Sequence, residues 1–306
     1  MPAFNEGRTA TTLAVLLYAL LWAGSVAYMA QTGGEWASPI EVLVIFGALC
    51  GGAAWLLTRG ADAPAIEVKR PPLEAGAFVI YLALYAVGFL GFGMSAARAA
   101  LPAGREQELL VMGLKLGVHI VLPCLLLLAL GVRLAPLFQA GLKGRKFWRT
   151  LIVMSALFLG LMCFISPSLQ HIANLHAAPQ VLAVMAPLSF VWIAIEAGLN
   201  EEFLFRAVLQ TRLSALFRSP IAAICVTALL FGLAHAPGLY LRSGLDDDGA
   251  SHNLLAVIAY TIGVLSPMGL LFGLIYARTK SLLLVVLLHA MVDVLPNLPD
   301  FIRIWG

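Results

Sequence analysis

Apolar runs long enough to cross a bilayer follow one another along almost the whole chain, separated by short polar stretches. About 20 apolar residues span the hydrocarbon core as a helix. Such windows lie at residues 11–31, 39–58, 75–97, 108–131 and 148–166, and again at 183–210, 220–240, 254–277 and 281–298. The pattern predicts nine transmembrane helices, or eight if one run is re-entrant or lies in the interface. One sizeable polar insert, Arg59 to Glu74, is rich in proline and charge. No internal repeat, low-complexity tract or long linker interrupts the series. The expected fold class is all-α, a polytopic transmembrane helical bundle.

Composition narrows the function classes. The chain is 61% hydrophobic and 11% charged, where soluble domains carry about 25% charged residues, so there is no room for a second, soluble domain. A net charge of +3 is too small and too dispersed to attract nucleic acid. The partners to expect are the lipid bilayer and a membrane-associated peptide or protein. Cys50, Cys124, Cys163 and Cys225 sit in apolar runs without paired spacing, as small buried hydrophobes do, and not as disulfides or zinc ligands. The first apolar run lacks a small-residue cleavage site after it and reads as a retained span.

Lysine and arginine then orient the bundle. With the N-terminus inside, the inside segments hold thirteen of them, from Arg8 through the Arg133–Arg149 stretch to Lys280. The outside segments hold only Arg98, Arg105, Arg242 and Arg303. The expected location is the plasma (inner) membrane of a bacterium, multi-pass, with a cytoplasmic N-terminus and the acidic Asp246-Asp247-Asp248 loop outside.

Ionisable groups embedded in the spans are few and crowd into the C-terminal third: Glu196, Glu201, Glu202, Arg206, His235, His289 and Asp293, with Lys115 and His119 earlier. Each costs about 2.5–3.5 kcal/mol at the bilayer centre on insertion scales, and such residues are functional by default. On a helix Glu202 and Arg206 share a face four residues apart and can pair. Glu201 is turned about 100° away, free to point into a cavity. Phe231 and His235 repeat the four-residue spacing, as do His289 and Asp293, where the carboxylate can hold one imidazole nitrogen and fix the tautomer. Lys115 and His119 read as packing or lipid-snorkelling residues, and Glu196 is left open between structure and function. Burial suits a glutamate to general-base work, while two histidines and carboxylates can hold a divalent metal with an open position for water. Either would activate water against an amide. The motifs of zincins, serine-nucleophile elbows and phosphate loops are absent.

These residues resemble the CAAX protease and bacteriocin-processing family of intramembrane endopeptidases, which includes the Ras-converting endopeptidase of eukaryotes. The family pattern Glu-Glu-x-x-x-Arg, Phe-x-x-x-His and His-x-x-x-Asn/Asp reads here as Glu201-Glu202 with Arg206, Phe231 with His235, and His289 with Asp293. The resemblance covers about residues 181–298. It implies catalytic roles for Glu201, Glu202, Arg206, His235, His289 and Asp293: Glu201 activates the water with help from His235, and His289 with Asp293 stabilises the oxyanion. Asp293 stands where asparagine is more frequent. An ionised carboxylate cannot donate to an oxyanion, which favours Asp293 as an orienting partner of His289. Ala207 stands where glycine is common. The resemblance implies a metalloprotease-like, glutamate-dependent enzyme, and a divalent metal such as zinc, on Glu201, His235 and His289, is the cofactor it admits.

The expected organisation is N-terminal spans with cytoplasmic loops over 1–180, a catalytic helical core over 181–298 and a short tail over 299–306. The expected function is hydrolysis of peptide bonds in membrane-associated substrates by a glutamate-activated water. The basic loops favour the cytoplasmic face as the side that admits substrate. A non-catalytic membrane scaffold or chaperone of the same fold is the alternative. A proton-coupled transporter fits less well, because transporters usually show two related halves.

Overall fold

Nine helices long and apolar enough to cross a membrane occur among the described residues, which in this computed structural model are 2–139, 141–241 and 249–306. They are α1 (Gly7–Gln31), α2 (Ala37–Leu57), α3 (Pro71–Ala99), α4 (Arg105–Ala129), α5 (Gly144–Ile165), α6 (Pro179–Phe217), α7 (Pro220–Leu241), α8 (Leu254–Thr279) and α9 (Leu282–Trp305). No strand occurs among the described residues, as a lipid environment demands of a single-chain bundle. The chain is an integral, multi-pass membrane protein. Arg242 and the acidic Asp246-Asp247-Asp248 loop lie outside the described residues.

The helix boundaries have local causes. Pro71, Pro179 and Pro220 open α3, α6 and α7, where a missing N–H costs nothing. Asn253 caps α8 by accepting from the amides of Leu255 and Ala256, and Ser281 caps α9 by accepting from that of Leu284. α6 and α8 stop at Arg218 (φ 50°) and Lys280 (φ 48°), whose left-handed backbone cannot continue a helix.

Two helices run past their expected ends. α6 has 39 residues, roughly 58 Å at 1.5 Å per residue, nearly twice the hydrocarbon thickness. α9 continues through Pro296 and Pro299 to Trp305, so most of the expected tail is helix. A further short helix, Ser168–Asn174, precedes α6.

Burial identifies the inner helices. Half or more of the most apolar window is buried in α7, α8 and α9 (50, 56 and 61%), against 22% in α1, α2 and α4. The first group forms the inside of the bundle, while α1, α2 and α4 turn residues such as Leu16, Val44 and Leu125 outward to lipid. Close approach of the inner helices depends on glycine. A Cβ at Gly198 would sit 2.7 Å from the Val286 carbonyl, and one at Gly232 would sit 2.4 Å from that of Thr261. The first contact presses α9 onto α6; the second presses α7 onto α8.

Candidate active site

The α6 backbone loosens into π-helical turns over Ala194–Leu199 and Phe203–Gln210, on either side of Asn200–Glu202. Such bulges are frequent at functional sites. They present the two adjacent glutamates differently. Glu202 is fully buried and uses both carboxylate oxygens. Oε2 accepts from Arg206 Nε at 3.0 Å, and Oε1 accepts from His289 Nδ1 at 2.9 Å. Glu201 faces a cavity with its side chain 20% exposed. Its Oε2 has no hydrogen-bond partner among the described residues and stands 3.8 Å from His289 Nε2.

His289 lies between three carboxylates. Besides Glu202 and Glu201, its Nε2 is 3.2 Å from Asp293 Oδ2, one helical turn on. Donation at both nitrogens requires a doubly protonated ring. The ring is also clamped by aromatics. Phe272 of α8 stacks on it at 5.1 Å with planes 3° apart, and Phe231 meets it edge-on at 6.3 Å. Phe231 in turn lies under the Arg206 guanidinium, 4.9 Å away. Nη1 and Nη2 of that guanidinium have no hydrogen-bond partner among the described residues, so the ring face is what meets the charge there.

His235 is fixed from its own helix: Nδ1 lies 2.9 Å from the Phe231 carbonyl. A carbonyl only accepts, so Nδ1 carries a proton, and Nε2 is the nitrogen that can accept when the ring is neutral. His235 and Glu201 together line two cavities, of about 350 and 260 Å³. The larger has polar walls that include Lys115 and Arg98; the smaller is walled largely by apolar side chains such as Phe46, Met162, Met268 and Phe272.

The fold thus brings all six expected site residues into one neighbourhood, although Glu201 and His289 are 88 positions apart in the numbering. Residues 183–295 match the family model described as "Type II CAAX prenyl endopeptidase Rce1-like". No curated protein and no solved structure matches the chain. The matched segment contains every one of the six residues.

The expected metal trio is not arranged as a ligand set. Among the described residues no group of three or more His, Cys, Asp or Glu is placed to hold a metal ion. Both nitrogens of His289 already face carboxylates, and Glu202 has no free oxygen. Lys115 also departs from the snorkelling expectation, because its ammonium donates to Glu196 Oε1 inside the bundle. His119 fits the packing role: it is 2% exposed, donating from Nδ1 to the Lys115 carbonyl and accepting at Nε2 from the Tyr85 hydroxyl.

Sequence reasoning did not find Phe272, the ring stacked on His289. A phenylalanine in an apolar span carries no signal that separates a residue packed on a histidine from one facing lipid. The Lys115–Glu196 pair was legible only as two isolated charges 81 residues apart.

Proposed function

We propose that the chain is an intramembrane endopeptidase in which Glu201 is the general base for an attacking water, with His235 as second acceptor. The observation that carries this reading is that Glu201 and His235 line the same cavities, with Glu201 Oε2 left without a hydrogen-bond partner among the described residues and His235 Nδ1 turned to the Phe231 carbonyl. A water held between them loses one proton to Glu201 as its oxygen attacks the peptide carbonyl carbon. The carbonyl π pair moves onto oxygen, where the positive charge of the doubly protonated His289 ring, its two N–H groups held by Glu202 and Asp293, offsets the new charge through space. As the tetrahedral centre collapses, the C–N bond breaks and Glu201 passes its proton to the leaving nitrogen. Glu202, Arg206 and Asp293 act one step back, by holding His289.

The substrate in this reading is a membrane-associated chain, and the family's description makes a prenylated CAAX peptide the first to try. No step is routed through a metal; of the expected trio, His289 has both nitrogens turned to carboxylates. The test compares membrane peptides from cells carrying wild type and Glu201→Gln, alongside cleavage of a prenylated CAAX peptide by the purified chain in proteoliposomes. A substrate should accumulate uncut in the mutant. Identical peptide profiles together with an intact peptide in vitro would refute the reading.

A further inference from the structure

Lys115 stands on the wall of the larger cavity, ten residues into α4 and roughly 15 Å from the start of that helix at 1.5 Å per residue. That is about half-way through the hydrocarbon core, where an unpaired ammonium costs about 2.5–3.5 kcal/mol. The Lys115 ammonium donates to Glu196 Oε1 of α6, the one hydrogen-bond partner its side chain has among the described residues. An ammonium carries three N–H donors, so one carboxylate does not use it up.

The pair is unsymmetrical. Lys115 lines the cavity that also holds Glu201 and His235, whereas Glu196 is not among the described lining residues of that cavity and borders another one, with Trp192 and Asn297. Arg98 repeats the arrangement at the end of α3: it lines the larger cavity, and its partner Glu108 does not. Both pairs turn their positive member to the reaction cavity. A pair that only staples helices can be sealed completely, as Glu202 and Arg206 are at 0% exposure, but the Lys115 and Glu196 side chains are 19 and 20% exposed. His119, one turn beyond Lys115 on the same wall, adds no counter-charge. Its Nδ1 and Nε2 are taken up by the Lys115 carbonyl and the Tyr85 hydroxyl.

We infer that Lys115 is a specificity-determining residue that binds a carboxylate of the substrate, so that the peptides this site prefers carry one near the bond that is cut; this rests on the reading of the site as a peptidase. Arg98, with its side chain 45% exposed, contributes less, because water screens a charge there. A small free anion suits the cavity poorly, since the Glu201 carboxylate lines it too and repels. A peptide fits, because its carboxylate can reach Lys115 while the bond to be cut lies residues away, beside Glu201 and His235. The smaller cavity offers no such partner. No lysine or arginine is among its described lining residues, and its walls suit the apolar part of a chain. Two sources supply the required group: the C-terminus of the substrate and an acidic side chain.

The experiment gives the full chain, in proteoliposomes, one prenylated CAAX peptide in three forms: a C-terminal acid ending in glutamine, the amide of that peptide, and an amide ending in glutamate. Wild type should cut a carboxylated form with a kcat/KM about tenfold or more above that of the glutamine amide, the usual worth of a hydrogen bond to a charged group. The difference should lie in KM. Preference for the acid alone names the C-terminus as the source, and equal preference for the glutamate amide shows that a side chain suffices. In Lys115→Gln/Glu196→Gln, which keeps a neutral pair, the preference should fall to within about twofold, while Lys115→Arg should keep it. Glu196→Gln, which relieves the ammonium of its internal partner, should widen it. Equal cleavage of all three peptides by wild type overturns the inference. So does a preference that neither the double variant nor Glu196→Gln moves, even if their overall rates drop, for the pair is then only a staple. Melting curves show which variants fold, and those that fold decide. If wild type cuts none of the peptides, the peptidase reading falls. Tighter binding of a carboxylated form than of the glutamine amide to the wild-type chain in nanodiscs then upholds the carboxylate site, and equal binding overturns it.

Discussion

The imidazole of His289 donates to Glu202 across 87 residues of sequence, at 2.9 Å, in a site where Glu202 is wholly buried. The same carboxylate takes the Arg206 Nε at 3.0 Å. One glutamate of the adjacent pair therefore ties two helices together, and its neighbour lines the cavities and keeps an oxygen without a hydrogen-bond partner among the described residues. The two glutamates should respond differently to the same substitution.

Glu201→Gln should reduce peptide cleavage by about 10²–10⁴-fold, the usual worth of a positioned general base. Melting in detergent should stay near wild type, since the amide keeps the shape and Glu201 anchors nothing. Proteoliposome rates paired with a thermal melt decide the point; full activity in the glutamine variant would remove Glu201 from the reaction.

Arg206→Ala should act on stability first. It strands Glu202 in a fully buried position, and breaking a buried pair costs about 3–5 kcal/mol. It also removes the guanidinium from the face of Phe231. Yield and melting temperature should fall together, with Glu202→Gln behaving alike. An Arg206→Ala protein that melts like wild type yet cuts nothing would put the arginine in the chemistry.

Asp293 holds the far nitrogen of His289 at 3.2 Å. Asp293→Asn still offers an oxygen acceptor and should keep partial activity, whereas Asp293→Ala frees the ring and should lose far more. Because neither histidine is placed in a ligand set, dialysis against a chelator should leave the wild type unchanged, and added zinc should not rescue Asp293→Asn. Rates measured with and without metal test both statements at once.

Phe272 fixes the plane of His289 from the face. Phe272→Leu keeps an apolar side chain of similar bulk but removes the flat partner. The expected outcome is a fall in kcat of about tenfold or more with KM within about twofold, the signature of lost transition-state positioning. A change confined to KM would mean that Phe272 is merely a wall of the cavity.

Lys280 closes α8 in left-handed backbone, a conformation costing about 1–2 kcal/mol for a residue with a Cβ. Burial also pushes its ammonium down to about 8. The folded protein thus disfavours the charged form, a cost present in full below pH 8 and relieved as pH rises towards the free lysine value of 10.5. Lys280→Gly should raise the melting temperature at pH 7, with a smaller gain at pH 10. A melt that falls at both pH values would show that contact with the Tyr276 ring, 5.0 Å away, outweighs both costs.

The sequence by itself determined the class of molecule, the positions of the long apolar helices, eight or nine in number, and the candidate residues of the site. The reason is that lipid enforces a simple grammar: apolar runs of one length, with every embedded charge exceptional. Glu201, Glu202, Arg206, His235, His289 and Asp293 stood out because ionisable groups are few within apolar spans, and same-face pairs such as Glu202 with Arg206 follow from helix geometry alone. Tertiary structure decided which partner each group takes. His289 could have served Asp293 only; the approach of α9 to α6 at Gly198 gives its other nitrogen to Glu202. Phe272 and the Lys115–Glu196 pair depend on contacts between separate helices, which no local spacing encodes.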